Sequence, residues 1–545
     1  MNTTIFISIT LVFVALTLLL GYFGYKHTRD NEHFLINTEK NNPLIIALSY
    51  GATFLSASAI VGFGGQAAKY GLSLVWLVFF NLFFGLAVAF IFFGRRTRRL
   101  GREEKAFTFS DFLGKRFKSP MIRTFSAVIV MVGMPIYCAA VMLGGVNFIE
   151  AVVGLNKDVV LIGFAIIVAI YVTYGGIIAV MYNDALQAAI MFVGMVVILV
   201  FTYYTLGGVI EANTALTGLW DTVRNGGGAN ADALVPLADK GMNGWTAFSS
   251  FGSEVWLTVV TTFMLGVGIG AISQPQLAVR FMSAKDDRSL NRSLIIGSIF
   301  MLVIVGSAYT VGPLSNVFFF ERFGEISIVY ESNPDMIIPT YVRELFSGVA
   351  FGDVFVSLFV LAVLSASIST MAALLHTMGA SGGYDIWSQV EKRKGNKNPG
   401  MSMRPNRIMT LIMTVVVVLL AYMMPGNIIA KATAVFMGLT AATLLPSYAY
   451  SLYSERPNLN GAKASIIAGS ISWAFWAFFV NKGISSVIGL SRALFGTDSL
   501  MGGLWSFVDP LIISLPISIA ALMIGCLVWP SSKGDAVEAE TVTES

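Results

Sequence analysis

Charged residues are scarce in this sequence. Only 12% of its 545 residues are Asp, Glu, Lys or Arg, about half the share in an ordinary soluble domain, and 56% are hydrophobic. This composition excludes a soluble globular protein and indicates a chain embedded in a lipid bilayer. Because a spanning helix needs about 20 apolar residues, about 13 such helices use most of the chain. They leave no room for a separate soluble catalytic or signalling domain.

Cysteine and histidine are also rare. Cys138 and Cys526 both lie in apolar segments, a placement that fits neither a disulfide framework nor a metal cluster. Three histidines, His27, His33 and His376, are too few for a multi-histidine metal site. The sequence shows no cluster of carboxylates, histidines or cysteines at membrane depth, so we predict that the protein is not an enzyme.

The apolar segments predict helices rather than a β-barrel. Runs such as 159–171 and 189–203 are apolar on every side, whereas barrel strands alternate apolar and polar residues. We therefore predict an all-α polytopic membrane protein. Breaks at charges, glycines and prolines place its helices near 4–23, 43–66, 73–94, 122–149, 158–177, 183–207, 251–281, 292–312, 346–380, 406–424, 430–451, 464–480 and 508–529. The first is interpreted as a retained anchor, because it has no basic start or small-residue cleavage site.

Lys and Arg are unevenly distributed over alternate loops. About 26 of the 35 lie in segments that are cytoplasmic if the N-terminus is outside, namely 24–42, 95–123, 280–292, 385–407, 452–463 and the tail after 529. Cytoplasmic loops carry this excess, which predicts an N-terminus outside and a C-terminus in the cytoplasm of a cell membrane. The basic run 95–102 is interpreted as part of this anchor and not as a nucleic-acid patch, so no nucleic-acid partner is expected.

Two predicted helices are rich in residues that interrupt a helix. One runs from Ser49 through Ser56 and Ser58 to Gly65, and the other from Gly266 to Pro275. Transporters built from inverted repeats have interrupted helices at corresponding positions of their two halves. Five helices separate the two starts, which predicts a core of two five-helix inverted repeats. The expected organisation is an anchor helix and loop (1–42), a ten-helix transport core (43–451), two accessory helices (452–530) and an acidic cytoplasmic tail (531–545).

A third segment places hydroxyl groups in the middle of a long apolar helix. Ser365, Ser367, Ser369 and Thr370 lie within six residues of one another. Na⁺ is a hard cation that requires about five oxygen ligands, and hydroxyls are joined in such sites by carbonyls released where a facing helix unwinds. The break around 52–55 is a candidate source of those carbonyls.

Several motifs resemble the sodium:solute symporter family. They are Tyr174-Gly175-Gly176 running to Asn183-Asp184-Ala185-Leu186-Gln187, the stretch from Gln276 through Arg280 to Lys285, and Ala366, Ser369 and Thr370 followed by Tyr384-Asp385-Ile386. The resemblance covers most of the chain. It implies a Na⁺-coupled symporter with a conserved sodium site, whose ligands here are the carbonyls of Ala52, Leu55 and Ala366 and the hydroxyls of Ser369 and Thr370. It also places Asp184 near the sodium exit path, although a cap at a helix start explains that residue equally well.

Departures from the family pattern narrow the expected number of coupling sodium ions and the expected class of substrate. Ala372 and Ala373 stand where some members have the hydroxyls of a second sodium site, so we expect one coupling Na⁺. Phe54 replaces an acidic residue of some amino-acid carriers, and Ala59 replaces a polar amide of sugar carriers. A sugar in an apolar pocket leaves its hydroxyls unpaired, at about 1–3 kcal/mol each. A sugar substrate is therefore disfavoured.

The expected substrate pocket is mainly apolar with a few hydrogen-bond donors, and no buried arginine is evident. Its predicted lining is Ser56, Ser58, Ala59, Val267, Gly270, Ala271, Gln274, Ala434 and Met437. A small organic anion or zwitterion fits this lining, and His376-Thr377-Met378-Gly379-Ala380-Ser381 is similar to the acetate and short-chain monocarboxylate branch of the family. A monocarboxylate is the main expectation, with proline or pantothenate as alternatives.

Three points stay open in the sequence. Lys431 either attracts anions or extends to the membrane interface, and His376 has either a structural or a proton-linked role. A proton-coupled carrier of the same fold also remains an alternative. We expect the chain to act as a monomer in the bilayer.

Overall fold

The computed structural model describes residues 3–36, 43–396 and 400–530. Within those ranges the chain is helical and contains no β-strand. The long helical segments, labelled in chain order, are α1 (Thr3–His27), α2 (Pro43–Phe54), α3 (Ser58–Glu103), α4 (Pro120–Val153), α5 (Lys157–Thr205), α6 (Glu254–Ser273), α7 (Pro275–Met282), α8 (Asp287–Phe323), α9 (Gly352–Arg393), α10 (Arg404–Met423), α11 (Ile429–Tyr453), α12 (Leu459–Val480) and α13 (Pro510–Val528).

Eleven of the described segments are long and apolar enough to cross a membrane, all except α2 and α7. The two longest of the eleven, α3 with 46 residues and α5 with 49, are more than twice the roughly 20 residues that one crossing needs. Each has a break near its middle. In α3 the turn Gly71–Leu74 is a 3-10 helix, and in α5 Gly176 has φ +56° and ψ −154°, outside helical geometry. The all-α membrane fold is thus confirmed, whereas the number of crossings and the inverted repeat stay predictions.

Loops that alternate along the chain gather at two ends of the bundle. At one end, which we call the basic end, Arg98 pairs with Asp287 at 2.7 Å, and Arg123 pairs with Asp385 at 2.9 Å. Arg116 donates there to the Ser451 carbonyl at 3.0 Å. The predicted cytoplasmic segments 95–123, 280–292, 385–407 and 452–463 therefore meet at one end. This grouping agrees with the alternation on which the predicted orientation depends.

The opposite end is built from short helices and loops. The stretch 208–250 contains the helices Val209–Gly226 and Gly228–Asp239. Short helices also occupy the two stretches between predicted spans, at Ser327–Tyr330, Pro334–Leu345, Lys482–Ile488 and Leu490–Phe495. The Trp245 indole donates to the Ala68 carbonyl at 3.1 Å, so this layer contacts α3 just before the 3-10 turn at Gly71–Leu74.

The centre of the bundle is α9. In its most apolar window 94% of the residues are buried, compared with 22% in α1 and α13, which therefore lie at the periphery. α9 packs on α5 and α4, and its hydroxyl segment faces protein on every side. Polar groups on α9 are thus held in a dry interior, where an unpaired group is costly.

One predicted boundary is wrong. The sequence placed a loop between helices ending at 177 and starting at 183, and allowed Asp184 to be a helix cap. Instead the chain turns at Gly176 alone, and helical geometry resumes at once. The reason is steric: a Cβ on Gly176 would lie 2.9 Å from the Phe34 carbonyl oxygen, and glycine adopts the positive φ without strain. Asp184 is therefore inside a helix. The predicted acidic tail, 531–545, lies outside the described residues.

Candidate functional site

Both predicted interruptions are present. Helix α2 ends at Phe54, and Leu55 and Ser56 are non-helical before the chain turns into α3. The second interruption falls at Gln274, whose backbone is extended with ψ 117°, between α6 and α7. Pro275 follows it and begins α7, because proline has no N–H to continue the preceding helix. The sequence located each interruption within a few residues.

The hydroxyl pair on α9 lies against the end of α2. Ser369 Oγ donates to the Ala52 carbonyl at 2.9 Å and to the Ala366 carbonyl at 3.2 Å. Thr370 Oγ1 donates to the Thr53 carbonyl at 3.1 Å and to the Ala52 carbonyl at 3.3 Å. Four of the five predicted sodium-site residues are thus brought together.

The fifth residue, Leu55, is three positions beyond Ala52. Its N–H still donates to the Gly51 carbonyl at 2.8 Å, so Leu55 marks the last residue held by the helical ladder of α2. Thr53, whose carbonyl joins the group, was not predicted.

The oxygen atoms around Ser369 and Thr370 are suitable ligands for a hard cation. Every polar atom in this group is a carbonyl or hydroxyl oxygen, and the side chains of Ser369 and Thr370 are fully buried. Oxygen ligands of this kind bind Na⁺, Mg²⁺ or Ca²⁺, and the absence of a carboxylate favours the singly charged ion.

A buried ion pair lies beside this group. Asp184 Oδ2 accepts hydrogen bonds from Ser49 Oγ at 2.6 Å and Thr53 Oγ1 at 3.3 Å. It also pairs at 3.3 Å with the guanidinium of Arg280, which donates to Thr53 Oγ1 at 2.9 Å and to the Gln276 carbonyl at 2.6 Å. The side chains of Asp184 and Arg280 are at most 1% exposed. Asp184 Oδ1 has no partner among the described residues.

The expectation that no arginine is buried is wrong. In the sequence Arg280 precedes Lys285 and Arg288, and this group resembles an ordinary run of basic anchors. Its partner Asp184 is 96 positions away, and only the tertiary fold brings the two together.

A small cavity lies between the two interruptions. It offers about 10 Å³, enough for about one water molecule. Four residues of the predicted pocket line it: Ser56, Ala59, Val267 and Met437. The remaining lining residues were not predicted as pocket residues: Phe54, Leu55, Phe63, Asn81, Tyr137, Tyr309 and Thr433.

The other predicted pocket residues pack between helices. Ser58 Oγ donates to the Ile429 carbonyl at 3.0 Å, and the Gln274 amide donates to the Gly270 carbonyl at 3.0 Å and to Thr440 Oγ1 at 2.7 Å. A Cβ on Gly270 would lie 2.5 Å from Met437 Cβ, so this glycine permits the close approach of α6 and α11. Ala434 is buried and does not line the cavity.

The cavity wall is apolar except for a few groups. Tyr137 donates to Ser56 Oγ at 3.4 Å, and Thr433 pairs with Ser58. The side-chain oxygen of Asn81 is buried without a hydrogen-bond partner among the described residues. Asn81 therefore carries unused hydrogen-bonding capacity on the wall.

His376 has a structural partner. One ring nitrogen lies 2.7 Å from the Phe34 carbonyl oxygen, and the two rings are 5.4 Å apart. The contact ties the short helix Asn31–Leu35 to α9. It fits the structural alternative for this histidine.

A membrane bundle with interrupted helices beside a group of oxygen ligands and a small cavity is the architecture of a secondary transporter. The model of the sodium:solute symporter family matches residues 37–469. The chain belongs to this family, and it is a Na⁺-coupled symporter of a small solute in a membrane. The family and its characterised relatives are transporters and not enzymes.

Curated relatives and a solved structure agree with this membership. The osmoregulated proline transporter OpuE of Bacillus subtilis is 26% identical over 91% of this chain and 92% of its own length. The sodium/pantothenate symporter of Haemophilus influenzae is 28% identical over 84% and 87%. An outward-open Na⁺-coupled sialic acid symporter superposes with a TM-score of 0.74 over 97% of this chain and 98% of that chain. At 16% identity the last likeness shows the fold alone.

Proposed function

We propose that the chain imports a short-chain monocarboxylate together with Na⁺. The observation that carries this proposal is the cavity between the two interruptions, whose wall is apolar except for Ser56, Asn81, Tyr137, Tyr309 and Thr433. A short carboxylic acid needs a few hydrogen-bond donors at one end and an apolar surface around its carbon chain. A sugar would leave several hydroxyls unpaired in the same space.

The relatives raise a second candidate. OpuE is named for proline, and the Haemophilus relative for pantothenate. Both solutes carry a carboxylate, so the same donors would suit part of each molecule. The measurement below includes both solutes.

In the proposed mechanism one Na⁺ binds the carbonyls of Ala52, Leu55 and Ala366 and the hydroxyls of Ser369 and Thr370. Bound Na⁺ would hold the end of α2 against α9 and thereby stabilise the state that accepts substrate. The nearby pair of Asp184 and Arg280 would border the route by which Na⁺ leaves. One Na⁺ and one monocarboxylate together carry no net charge, so the Na⁺ concentration gradient drives their uptake and the membrane potential does not contribute. A zwitterion moved with one Na⁺ across about 100 mV would gain roughly 2.3 kcal/mol in addition.

The proposed setting is the plasma or inner membrane. The basic end would face the cytoplasm, because positively charged loops are retained there. The opposite end and the N-terminus would then lie outside. We also propose that the monomer is the transporting unit.

The test is uptake by purified protein in liposomes. Labelled acetate, pyruvate, proline and pantothenate are each supplied outside, with an inward Na⁺ gradient or with K⁺ in its place. Na⁺-dependent accumulation of acetate or pyruvate supports the proposal. If only proline or pantothenate accumulates, the proposal that the substrate is a short-chain monocarboxylate is wrong.

The coupling ion has its own control. The double variant Ser369→Ala, Thr370→Ala should lose Na⁺ stimulation. Ser365→Ala removes a hydroxyl from the same helix that has no partner among the described residues, and it should transport normally. Uptake that persists in the double variant and follows pH would favour a proton-coupled carrier.

A further inference from the structure

A second and larger cavity lies toward the opposite end of the bundle. It offers about 260 Å³, enough for a small organic acid with a few waters. Two lysines line it, Lys431 and Lys482, together with hydrogen-bonding side chains that include Thr262 and Asn481. No Asp or Glu is among its lining residues.

This cavity and the small one between the interruptions share the same helices. On α11, Lys431 and Val435 line the larger cavity, whereas Thr433 and Met437 line the smaller one. On α6, Phe263 lines the larger cavity and Val267, one turn later, the smaller one. Residues of the two cavities thus alternate along α11 and lie one turn apart on α6, so the cavities are neighbours in the bundle.

Two aromatic rings stand between them. Phe263 borders the larger cavity and Phe63 the smaller one, and their ring centroids are 5.3 Å apart in an edge-to-face arrangement. Tyr309, also on the wall of the smaller cavity, lies 6.2 Å from Phe63. This aromatic contact therefore lies where the walls of the two cavities meet.

The charge around the larger cavity is positive. Neither lysine forms an ion pair within 4 Å in the described part of the chain. Lys431 interacts at longer range with Lys69 and Asp335, and the Asp335 carboxylate already accepts the backbone N–H groups of Ile428 and Ile429.

The acids near Lys482 also have partners. Lys482 borders a neighbouring recess with Glu254 and Asp498. Glu254 pairs with Lys240 at 3.5 Å, and Asp498 pairs with Arg492 at 2.5 Å. The local positive charge is therefore not cancelled.

We propose that this cavity is a first binding site for the carboxylate of the substrate, which then passes between Phe63 and Phe263 into the smaller cavity. The inference rests on the proposed function, since it assumes an anionic substrate. It supplies what the smaller cavity lacks, because no cationic side chain lines that wall. A positive cavity at the entrance raises the local concentration of an anion and speeds its association.

The experiment compares initial uptake rates of the transported monocarboxylate by wild type, Lys431→Met, Lys431→Arg and Lys482→Met in liposomes. We expect about a tenfold higher KM for Lys431→Met at low ionic strength with an unchanged maximal rate, and a smaller increase for Lys482→Met. At about 0.5 M of an inert salt the difference should shrink, because salt screens the lysine charge. Lys431→Arg should retain the wild-type KM.

The apparent Na⁺ affinity separates this role from a folding defect. Removing a positive charge from the entrance should leave Na⁺ affinity unchanged or improve it, whereas a damaged fold weakens both. Lys157→Met changes a lysine at the start of α5, outside the cavity, and should behave as wild type. If monocarboxylate uptake has the same KM and salt response in all variants, the proposed first binding site is wrong and the proposed substrate stands. A wild type that accumulates no monocarboxylate overturns the proposed substrate, and the inference with it.

Discussion

Arg280 and Asp184 form an ion pair of 3.3 Å in the interior of the bundle, between α7 and α5. Both side chains are buried, Ser49 donates a hydrogen bond to Asp184, and Arg280 donates one to Thr53. A buried ion pair stabilises the folded protein little more than an apolar pair of the same size does. Removing one partner, however, leaves the other as a buried charge without compensation. We therefore predict that Asp184→Asn and Arg280→Gln each destabilise the protein by about 3–5 kcal/mol, measured as a lower melting temperature in detergent.

The double variant Asp184→Asn, Arg280→Gln should recover much of that loss, since neither charge is then unpaired. Arg98→Gln is the matched control: it breaks the pair with Asp287, which is 56% exposed, and should change stability by no more than about 1 kcal/mol. Single variants at Asp184 and Arg280 that melt like the Arg98 variant would contradict a strong buried pair.

Sodium should stabilise the folded protein through the hydroxyl pair on α9. A ligand that binds only the folded state adds about 2.7 kcal/mol at a concentration one hundred times its Kd. We predict a Na⁺-dependent rise of the melting temperature in wild type and in Ser365→Ala, and none in the double variant Ser369→Ala, Thr370→Ala. K⁺ at the same ionic strength is the salt control, and an equal rise in K⁺ would argue against a sodium site here.

The two interruptions and the hydroxyl pair were predictable because each depends on local chemistry. Pro275 has no N–H for a preceding helical turn and follows the glycines at 266, 268 and 270, and adjacent hydroxyls at 369 and 370 are unusual in an apolar helix. Asn81 was missed for the opposite reason. It is a lone amide in an apolar segment, and whether it faces lipid, a neighbouring helix or a cavity depends on how α3 rotates against α4 and α8.

Two predictions from the sequence were wrong, the loop near 177–183 and the absence of a buried arginine. The single turn at Gly176 could not be told from a short loop, because the residues on both sides are apolar and favour a helix equally. The contact between Arg280 and Asp184 joins residues 96 positions apart. A basic residue near a loop is ordinarily a membrane anchor, and the sequence contains no sign that this one turns inward.

Asp509 should make stability depend on pH. It precedes α13, is 2% exposed, and receives hydrogen bonds from the Leu511 N–H and Thr262, with no cation beside it in the described structure. Burial raises its pKa to about 7, from an ordinary value near 3.9. As pH rises, the unfolded chain loses this proton first, so stability falls from about pH 4 to pH 7 and is then level.

The variant Asp509→Asn keeps the group neutral and should remove this fall. It should equal wild type near pH 4 and be more stable above pH 7, as measured by melting temperature across that range. Asp335, the other buried acid toward the opposite end, has its pKa raised by burial to about 6. The difference in slope between wild type and Asp509→Asn isolates the Asp509 contribution, because every other acid is the same in both proteins. An unchanged slope between pH 4 and pH 7 in the variant would contradict the assignment.

Asn81 should contribute directly to substrate affinity. Its amide lies on the wall of the smaller cavity, and its side-chain oxygen has no partner among the described residues. One hydrogen bond to a buried polar ligand is worth about 1–3 kcal/mol, so Asn81→Ala should raise the KM for the transported acid about tenfold or more. Uptake kinetics in liposomes measure this, with the melting temperature as a check on folding.

The variant Asn81→Asp distinguishes a carboxylate from other substrates. A negative charge on the cavity wall repels the negative charge of the substrate, so monocarboxylate uptake should be lost rather than weakened. A zwitterion such as proline also carries an ammonium group that the new carboxylate would attract, and its uptake should decline less. Equal losses for both solutes at an unchanged melting temperature would mean that Asn81 does not face the carboxylate.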